Sequence, residues 1–569
     1  MKKRRTLLPL LVSLALVFFS ACTGAPGGNA THPAGSQPPA AATATPADSG
    51  PVNKTGMPIA NEKLTFTAMA NRGGDDADWN SMWCFKKFAE ITNIAFDIQC
   101  VDSNVWTEKV NLAFATQTLP DVFFGGIPEF DLANYGKQGL IISLQPYLED
   151  YAPLIRQYFE KYPDIKKAMM SPDGNIYEFY GFNLSQRELA SRRFWINTKW
   201  IQDLGMKVPT NLDEFYNVLL AFKQNDCNGN GKNDEIPIGG RYGTGTSDKP
   251  YYSSDPYFSL DIPILVAFGY VDSRIDTVNG QVVYVPTEAR YKDYLQYTNK
   301  LFKEGLIDSE YFSQTEDQYK AKGAEMRYGC FSYYADWLLM GNEDQYSQYA
   351  SIPPMTSQYN SVQMWPADAT FSKTGIMNVT KPCKYPEAIV RFMDWLYTEE
   401  GSIIAQLGPQ NGTYEGGAGG WELVDNGQGQ QAYKLTWPEK YSSYNEFRKQ
   451  ELNPMTLPYV SIPGTQPIAD RLRMLDAKQI KLTGDIEKNF SPYYKLPFPI
   501  VPKTADESDQ INTICTDLTP YVQQMEARFI SGEESFDNFG AFVQGCKDRG
   551  SEKLVQIYQL VYDRWNAGK

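Results

Sequence analysis

Residues 226–237 read DCNGNGKNDEIP, and oxygen-bearing side chains recur there at alternate positions: Asp226, Asn228, Asn230 and, beyond Lys232, Asp234. A hard cation such as calcium is wrapped in this way, by oxygens from loop positions 1, 3, 5, 7 (through a backbone carbonyl) and 9. The Lys232 carbonyl takes position 7, and Gly231 occupies position 6, where such a loop turns sharply. Position 12, usually a bidentate glutamate, is Pro237, so Glu235 is the substitute ligand. Protein oxygens alone then account for about six ligands, leaving little room for a substrate. The expectation is a structural Ca2+ held by Asp226, Asn228, Asn230, Lys232, Asp234 and Glu235, rather than a catalytic one.

Other chemistry is limited by composition. The single histidine, His32, lies in a Pro/Ala/Gly-rich stretch outside the folded body. That body therefore lacks imidazole triads, histidine bases and His-rich zinc sites, while carboxylate-pair hydrolysis stays open. A formal charge of -14 argues against nucleic acid as partner. Beyond Cys22, seven dispersed cysteines show no CxxC and no dense framework. The remaining chemistry is that of aromatic platforms, since 14% of residues are Phe, Tyr or Trp. Flat indole and phenol faces suit the C–H faces of sugars, with Asp, Asn, Arg and Gln as hydrogen-bonding neighbours.

These groups need elements to hold them. KLTFTAMAN (63–71) reads as a strand, followed by an amphipathic helix carrying Met82, Phe85, Phe88 and Ala89. IAFDIQCV is a second strand, NVWTEKVNLAFATQT a second helix, and LPDVFFGG a third strand ending on two glycines. That alternation predicts a wound parallel α/β sheet, whose ligands sit beyond the strand carboxyl ends. Asn71 to Trp79 and Gly125-Gly126 should then share one cleft edge. A helix predicted from a Thr210/Asp213 cap, with Leu212, Phe215, Tyr216, Leu219 and Leu220 as its buried stripe, leads into the cation loop.

At the N-terminus, MKKRR, an apolar run and FSAC resemble a bacterial lipoprotein signal, with residues 1–21 removed and Cys22 acylated. Residues 22–62 are expected to be a lipid-anchored disordered tether. The stretches YGKQGLIISLQPYLEDYAP, DGNIYEFYGF, RRFWINTKWIQDLGMKVPTNLDEFYNVLLAFKQNDCNGNGKNDEIPI and KPCKYPEAIVRFMDWLYTEEGSIIAQLG resemble the extracellular solute-binding lipoproteins of ABC importers. Within that family they look most like the large carbohydrate-binding branch of Gram-positive bacteria, similar to alginate-oligosaccharide binders. GPQNGTYEGG (408–417) departs from that branch's usual glycine-glutamate-glycine turn.

The resemblance implies an α/β, two-lobed, periplasmic-binding-protein-like fold with a hinge between lobes. Lobe 1 would take 63–180 plus 364–415, and lobe 2 would take 181–363 plus 416–569. It implies a monomeric receptor on the outer face of the cell membrane, held there by its lipid anchor, passing an oligosaccharide to an ABC permease without breaking a bond. The alternatives are a surface glycosidase or lyase using carboxylates, or a sugar receptor feeding a sensor kinase. Candidate ligand contacts are Asp75, Asp78, Trp79, Trp106, Tyr180, Arg193, Trp195, Arg241, Tyr242, Trp337, Trp365 and Asp368.

Overall fold

The computed structural model describes residues 50–567, apart from 128, 191, 243–257, 368–371, 416, 455, 462–466 and 497. The expected signal peptide, Cys22 and the expected tether up to residue 49 lie outside the described residues, as does Asp368.

Strands β1 (Leu64–Arg72), β2 (Ile94–Asp102) and β3 (Val122–Phe124) are parallel, with β1 between the other two. Phe66, Ala68 and Ala70 of β1 turn inward against the helix Trp83–Thr92, whose Phe85 and Phe88 supply the matching apolar face. β4 (Phe179–Asn183) follows a run of short helices, and the chain then leaves this sheet. The second sheet begins with β5 (Phe194–Asn197) and β6 (Ile236–Gly239). A hairpin of β7 (Ile275–Val278) and β8 (Gln281–Tyr284) precedes β9 (Tyr328–Ser332) and β10 (Tyr349–Ser351), which complete that sheet in the order β10-β5-β9-β6. The short β11 (Trp365–Pro366) leads back to β12 (Ser372–Val379), which inserts antiparallel between β3 and β4. The first sheet is thus β2-β1-β3-β12-β4. Two sheets, each with its own apolar core, give a two-lobed α/β fold.

Two departures from the sequence expectation follow from burial. Residues 50–62, assigned to the tether, are docked on the first lobe. Val52 bridges Ala60, Ile59 is fully buried with its N–H donating to Thr92 O, and the Arg391 guanidinium donates to Gly56 O at 2.9 Å. The stretch looks too polar to pack, but its few apolar residues fill a gap beside the helix Pro386–Leu396. Residues 416–472, expected in lobe 2, pack on lobe 1 instead. Leu457 and Val460 join its core, Phe182 bridges Val460, and the hairpin β13 (Trp421–Asp425) with β14 (Gln431–Leu435) rests on Leu407 and Ile468. From Ala477 the chain belongs to lobe 2: Leu482 and Ile486 enter its core, β15 (Tyr494–Lys495) pairs with β11, and the long helix Ala505–Ser531 buries Val522 and Phe529 there.

Candidate functional site

The carboxyl ends of β1, β2 and β3 meet at one edge of lobe 1. Gly125 and Gly126 follow β3 with φ of 132° and 81°, a backbone that side chains resist. A Cβ on Gly125 would lie 2.3 Å from the Asn71 Cβ and 3.3 Å from the Trp106 ring. Trp106 opens the helix Trp106–Thr116 and donates its Nε1–H to Gly126 O at 2.9 Å. Ser103 Oγ donates to Asn71 Oδ1 at 2.7 Å, and Arg72 clasps Asp102 at 2.6 Å. Trp106, expected as a ligand contact, is a core residue packed with Val110 and Phe123, so the first-lobe edge is a glycine ledge backed by a buried indole and flanked by Asn71, Arg72, Asp102 and Ser103. Arg72, Asp102 and Ser103 were not among the sequence candidates, although their place at strand ends is the signal that finds them.

Asp75 is exposed and pairs with Lys449 at 3.3 Å. Asp78 is committed locally, since its Oδ1 accepts from the Asn80 N–H and side-chain amide. Trp79 is a correction: it is fully buried, stacked 5.8 Å from Phe85 and 6.1 Å from Phe124. The short helical turn that starts at Trp79 turns its indole into the core. Tyr180 is likewise a core residue of lobe 1, its hydroxyl pKa pushed well up by burial.

In lobe 2, β6 and β9 are parallel, and their carboxyl ends bring Arg241, Tyr242, Tyr333, Tyr334 and Trp337 to one side. Arg193, just before β5, is buried and reaches the same end, donating to Tyr334 O and Arg187 O with its guanidinium over the Tyr334 ring. Trp195 and Trp365 are buried, holding Tyr333 O and Arg192 O through their Nε1–H groups. Their indole N–H groups fix the hinge-side backbone, and Trp195 also lines the small pocket beside Trp337. Tyr242 also turns inward, donating to Glu526 at 2.9 Å. Arg241 lies over Phe258 at 4.7 Å. Trp337 is the half-buried indole of the group, beside a small pocket shared with Trp195, Asp336, Tyr346, Lys478, Lys481, Leu482 and Asp485. Four of those partners come from the helix Ala477–Asn489, about 140 residues on, so no local spacing announces them.

The cation loop leaves the helix Leu212–Gln224, which starts one residue later than expected: Asn211 is the cap, and Glu214 reaches back to Thr210. Its core residues are Leu212, Phe215, Val218, Leu219 and Phe222, with Tyr216 and Leu220 at the margin. In the loop, Asp226 accepts from the N–H groups of Asn230 and Gly231, and Asn230 Oδ1 from Lys232 N. The Asn228 and Asn230 amides both lie 3.1–3.2 Å from Asp234 Oδ1. Glu235 Oε1 accepts from Asn228 N, while its Oε2 is buried without a hydrogen-bond partner. Among the described residues no cluster of three His, Cys, Asp or Glu side chains forms a metal centre; this loop mixes carboxylates with amides.

Two lobes are joined by crossings after β4 and β11 and again between residues 472 and 477, with strand carboxyl ends forming the candidate site. Residues 67–403 match the family model for bacterial extracellular solute-binding protein. The chain belongs to that family. As a solute-binding protein it is 24% identical over 530 residues to the fructooligosaccharide ABC transporter substrate-binding protein FusA of Streptococcus pneumoniae serotype 4, covering 90% of this chain and 88% of FusA. Over 157 residues it is 27% identical to the polygalacturonan/rhamnogalacturonan-binding protein YtcQ of Bacillus subtilis, which covers 27% of this chain and 30% of YtcQ. An extracellular solute-binding protein from Bifidobacterium longum subsp. infantis shares the fold with a TM-score of 0.71 at 21% identity, covering 88% of this chain and 98% of that one. An EF-hand mutant of FusA in complex with fructo-nystose gives 0.66 at 22%, covering 89% and 100%. Among the described residues no helix is long and apolar enough to cross a membrane.

Proposed function

We propose that this chain is the lipid-anchored receptor of an ABC transporter, capturing an extracellular oligosaccharide between its lobes and handing it uncleaved to a membrane permease. The observation that carries this reading is the alignment with FusA, a fructooligosaccharide-binding protein, through both lobes and nearly end to end. The site chemistry agrees. Asn71, Ser103 and Asp102 set hydrogen-bonding groups along the Gly125–Gly126 edge, and Trp337 offers a half-buried indole from lobe 2. Sugar rings need that pairing of flat apolar contact with planar hydrogen-bonding groups. The hinge lets both lobes contribute, so affinity includes the free energy of closure.

Calorimetry of the mature chain against an oligosaccharide panel, followed by chromatography of the bound fraction, tests this. Saturable one-to-one binding with the sugar recovered intact is expected. Turnover of the sugar would instead favour the carboxylate enzyme.

Calcium in the 226–235 loop belongs to the same proposal. The buried, unpartnered Glu235 Oε2 is the strongest sign of fit, because such an oxygen is costly unless a donor or cation reaches it. Asp226, Asn228, Asn230, the Lys232 carbonyl, Asp234 and Glu235 would hold the ion, which when bound supplies charge neutralisation to a cluster of carboxylates. The loop's own residues shape the turn after the helix Leu212–Gln224 and lead into β6. Chelation should lower the melting temperature with little effect on sugar affinity, and Glu235→Gln should mimic chelation. A chelator that abolished sugar binding without touching stability would sink the structural role. For the anchor, Cys22→Ala should release the protein from the membrane fraction.

A further inference from the structure

We propose that the oligosaccharide this receptor takes is uncharged, and that the charges at the strand carboxyl ends are arranged to exclude uronate chains; the inference rests on the carbohydrate reading above. A polyuronate presents one carboxylate per ring, and a site that welcomes it needs cations whose donors are not already spent. At the described strand ends Arg72, Lys449 and Lys481 each have a carboxylate partner. Arg72 is clasped by Asp102, with Nε and Nη2 at 3.2 and 2.6 Å from one carboxylate oxygen. Lys449 reaches Asp75, and Lys481 lies 3.3 Å from Asp336 and donates to Tyr349 O. Arg193 is held by two backbone carbonyls, and Arg241 is laid over Phe258.

The balance is acidic as well as engaged. Around the end of β1 and β2 stand Asp75, Asp76, Asp78 and Asp102, against Arg72, Lys449 and the buried Arg448. Asp75, Asp78 and Asp102 are exposed, so their field reaches a ligand entering the edge. Burial raises the Asp76 pKa, with Lys449 and Arg448 opposing it. A neutral sugar sees the same groups differently: fixed, ion-paired carboxylates and an Asn71–Ser103 pair are ready acceptors and donors for hydroxyls. The preference is therefore produced by repulsion of one class at no cost to the other, which is how specificity between similar ligands is obtained.

The test is titration calorimetry of the mature chain against size-matched neutral tetrasaccharides (fructan, glucan and galactan series) and against tetragalacturonate and an alginate tetramer, at low salt and at about 0.3 M sodium chloride. A neutral tetramer is expected to bind one-to-one, with affinity moved less than about twofold by salt, and each uronate at least about a hundredfold more weakly. Tightest binding by a uronate, weakening as salt rises, would overturn the proposal while leaving the carbohydrate reading intact. Silence from every sugar of both classes would overturn both. Asp102→Asn, which leaves Arg72 unclasped, should narrow the neutral-over-uronate preference about tenfold; an unchanged ratio would refute the rim as its source.

Discussion

Trp79 and Trp106 stand 27 positions apart at successive strand ends, both buried, but only Trp106 finds an acceptor for its indole N–H. Trp79 is buried among Phe85 and Phe124, and its Nε1–H has no acceptor among the described residues. Trp79→Ala should therefore cost about 3–5 kcal/mol, whereas Trp79→Phe, which removes the unsatisfied donor along with some packing, should cost less than about 1.5 kcal/mol. Chemical denaturation measures both. Trp106→Phe loses the bond to Gly126 O, so sugar affinity should fall along with about 1 kcal/mol of stability. A deeper residue-scale test concerns Glu526, whose carboxylate receives Arg274 at 2.7 Å, Tyr242 at 2.9 Å and the Tyr291 hydroxyl, with both members of the ion pair 2% exposed. Glu526→Gln leaves the Arg274 charge buried without its counter-ion. A loss of about 3–5 kcal/mol is expected in urea unfolding, because the desolvation cost of the remaining ion is no longer offset.

At the scale of elements, the docked segment before β1 works as a strap. Ile59 and Ala60 are completely covered, and Arg391 is drawn to Asn53 O and Gly56 O while lying 3.7 Å from Asp394. Asp394 in turn accepts from the N–H groups of Leu154 and Ile155, capping the helix Pro153–Lys161. Cutting the chain at residue 62 exposes that apolar gap and leaves Arg391 without its carbonyls. Stability should drop by about 3 kcal/mol relative to a form beginning at residue 50, read by thermal unfolding of the two side by side. A common melting temperature would show that the strap adds nothing. The element also explains a misreading: its composition is that of a linker, and only the surface of the finished lobe offers its few apolar residues a place to go.

For the whole molecule, pH couples to the hinge region of lobe 2. Burial pushes the Asp272 carboxyl up to about 7, opposed by the charge of Arg192 on the crossing segment and by the Arg274 N–H. The folded form therefore holds a proton on Asp272 over a range, from the usual carboxylate value near 4 up to about 7, in which the unfolded chain has released it. Stability from this group is complete at the acidic end of that window and is lost as pH rises through it. Asp272→Asn should remove that component, so the difference in stability between parent and variant should change with a slope of at most about 1.4 kcal/mol per pH unit between pH 4 and 7. Parallel curves for the two proteins, from calorimetry across that window, would refute it.

What the chain determined locally is what short-range patterns determine. The alternation in β1, the helix carrying Phe85 and Phe88, and the glycines ending β3 define a parallel α/β unit, because periodicity of burial is written in neighbouring residues. The oxygen spacing of 226–235 likewise marks a tight turn of carboxylates and amides without reference to anything distant. Which aromatic faces solvent was left to the tertiary structure. Trp79, Tyr180, Trp195 and Trp365 are enclosed by segments tens to hundreds of residues away. The same holds for Arg72 and Asp102, which pair because β1 and β2 lie in register, and for Lys449, which closes on Asp75 across 374 positions. Contacts of that kind depend on the fold bringing remote surfaces within a few ångströms, so they enter only once both lobes are assembled.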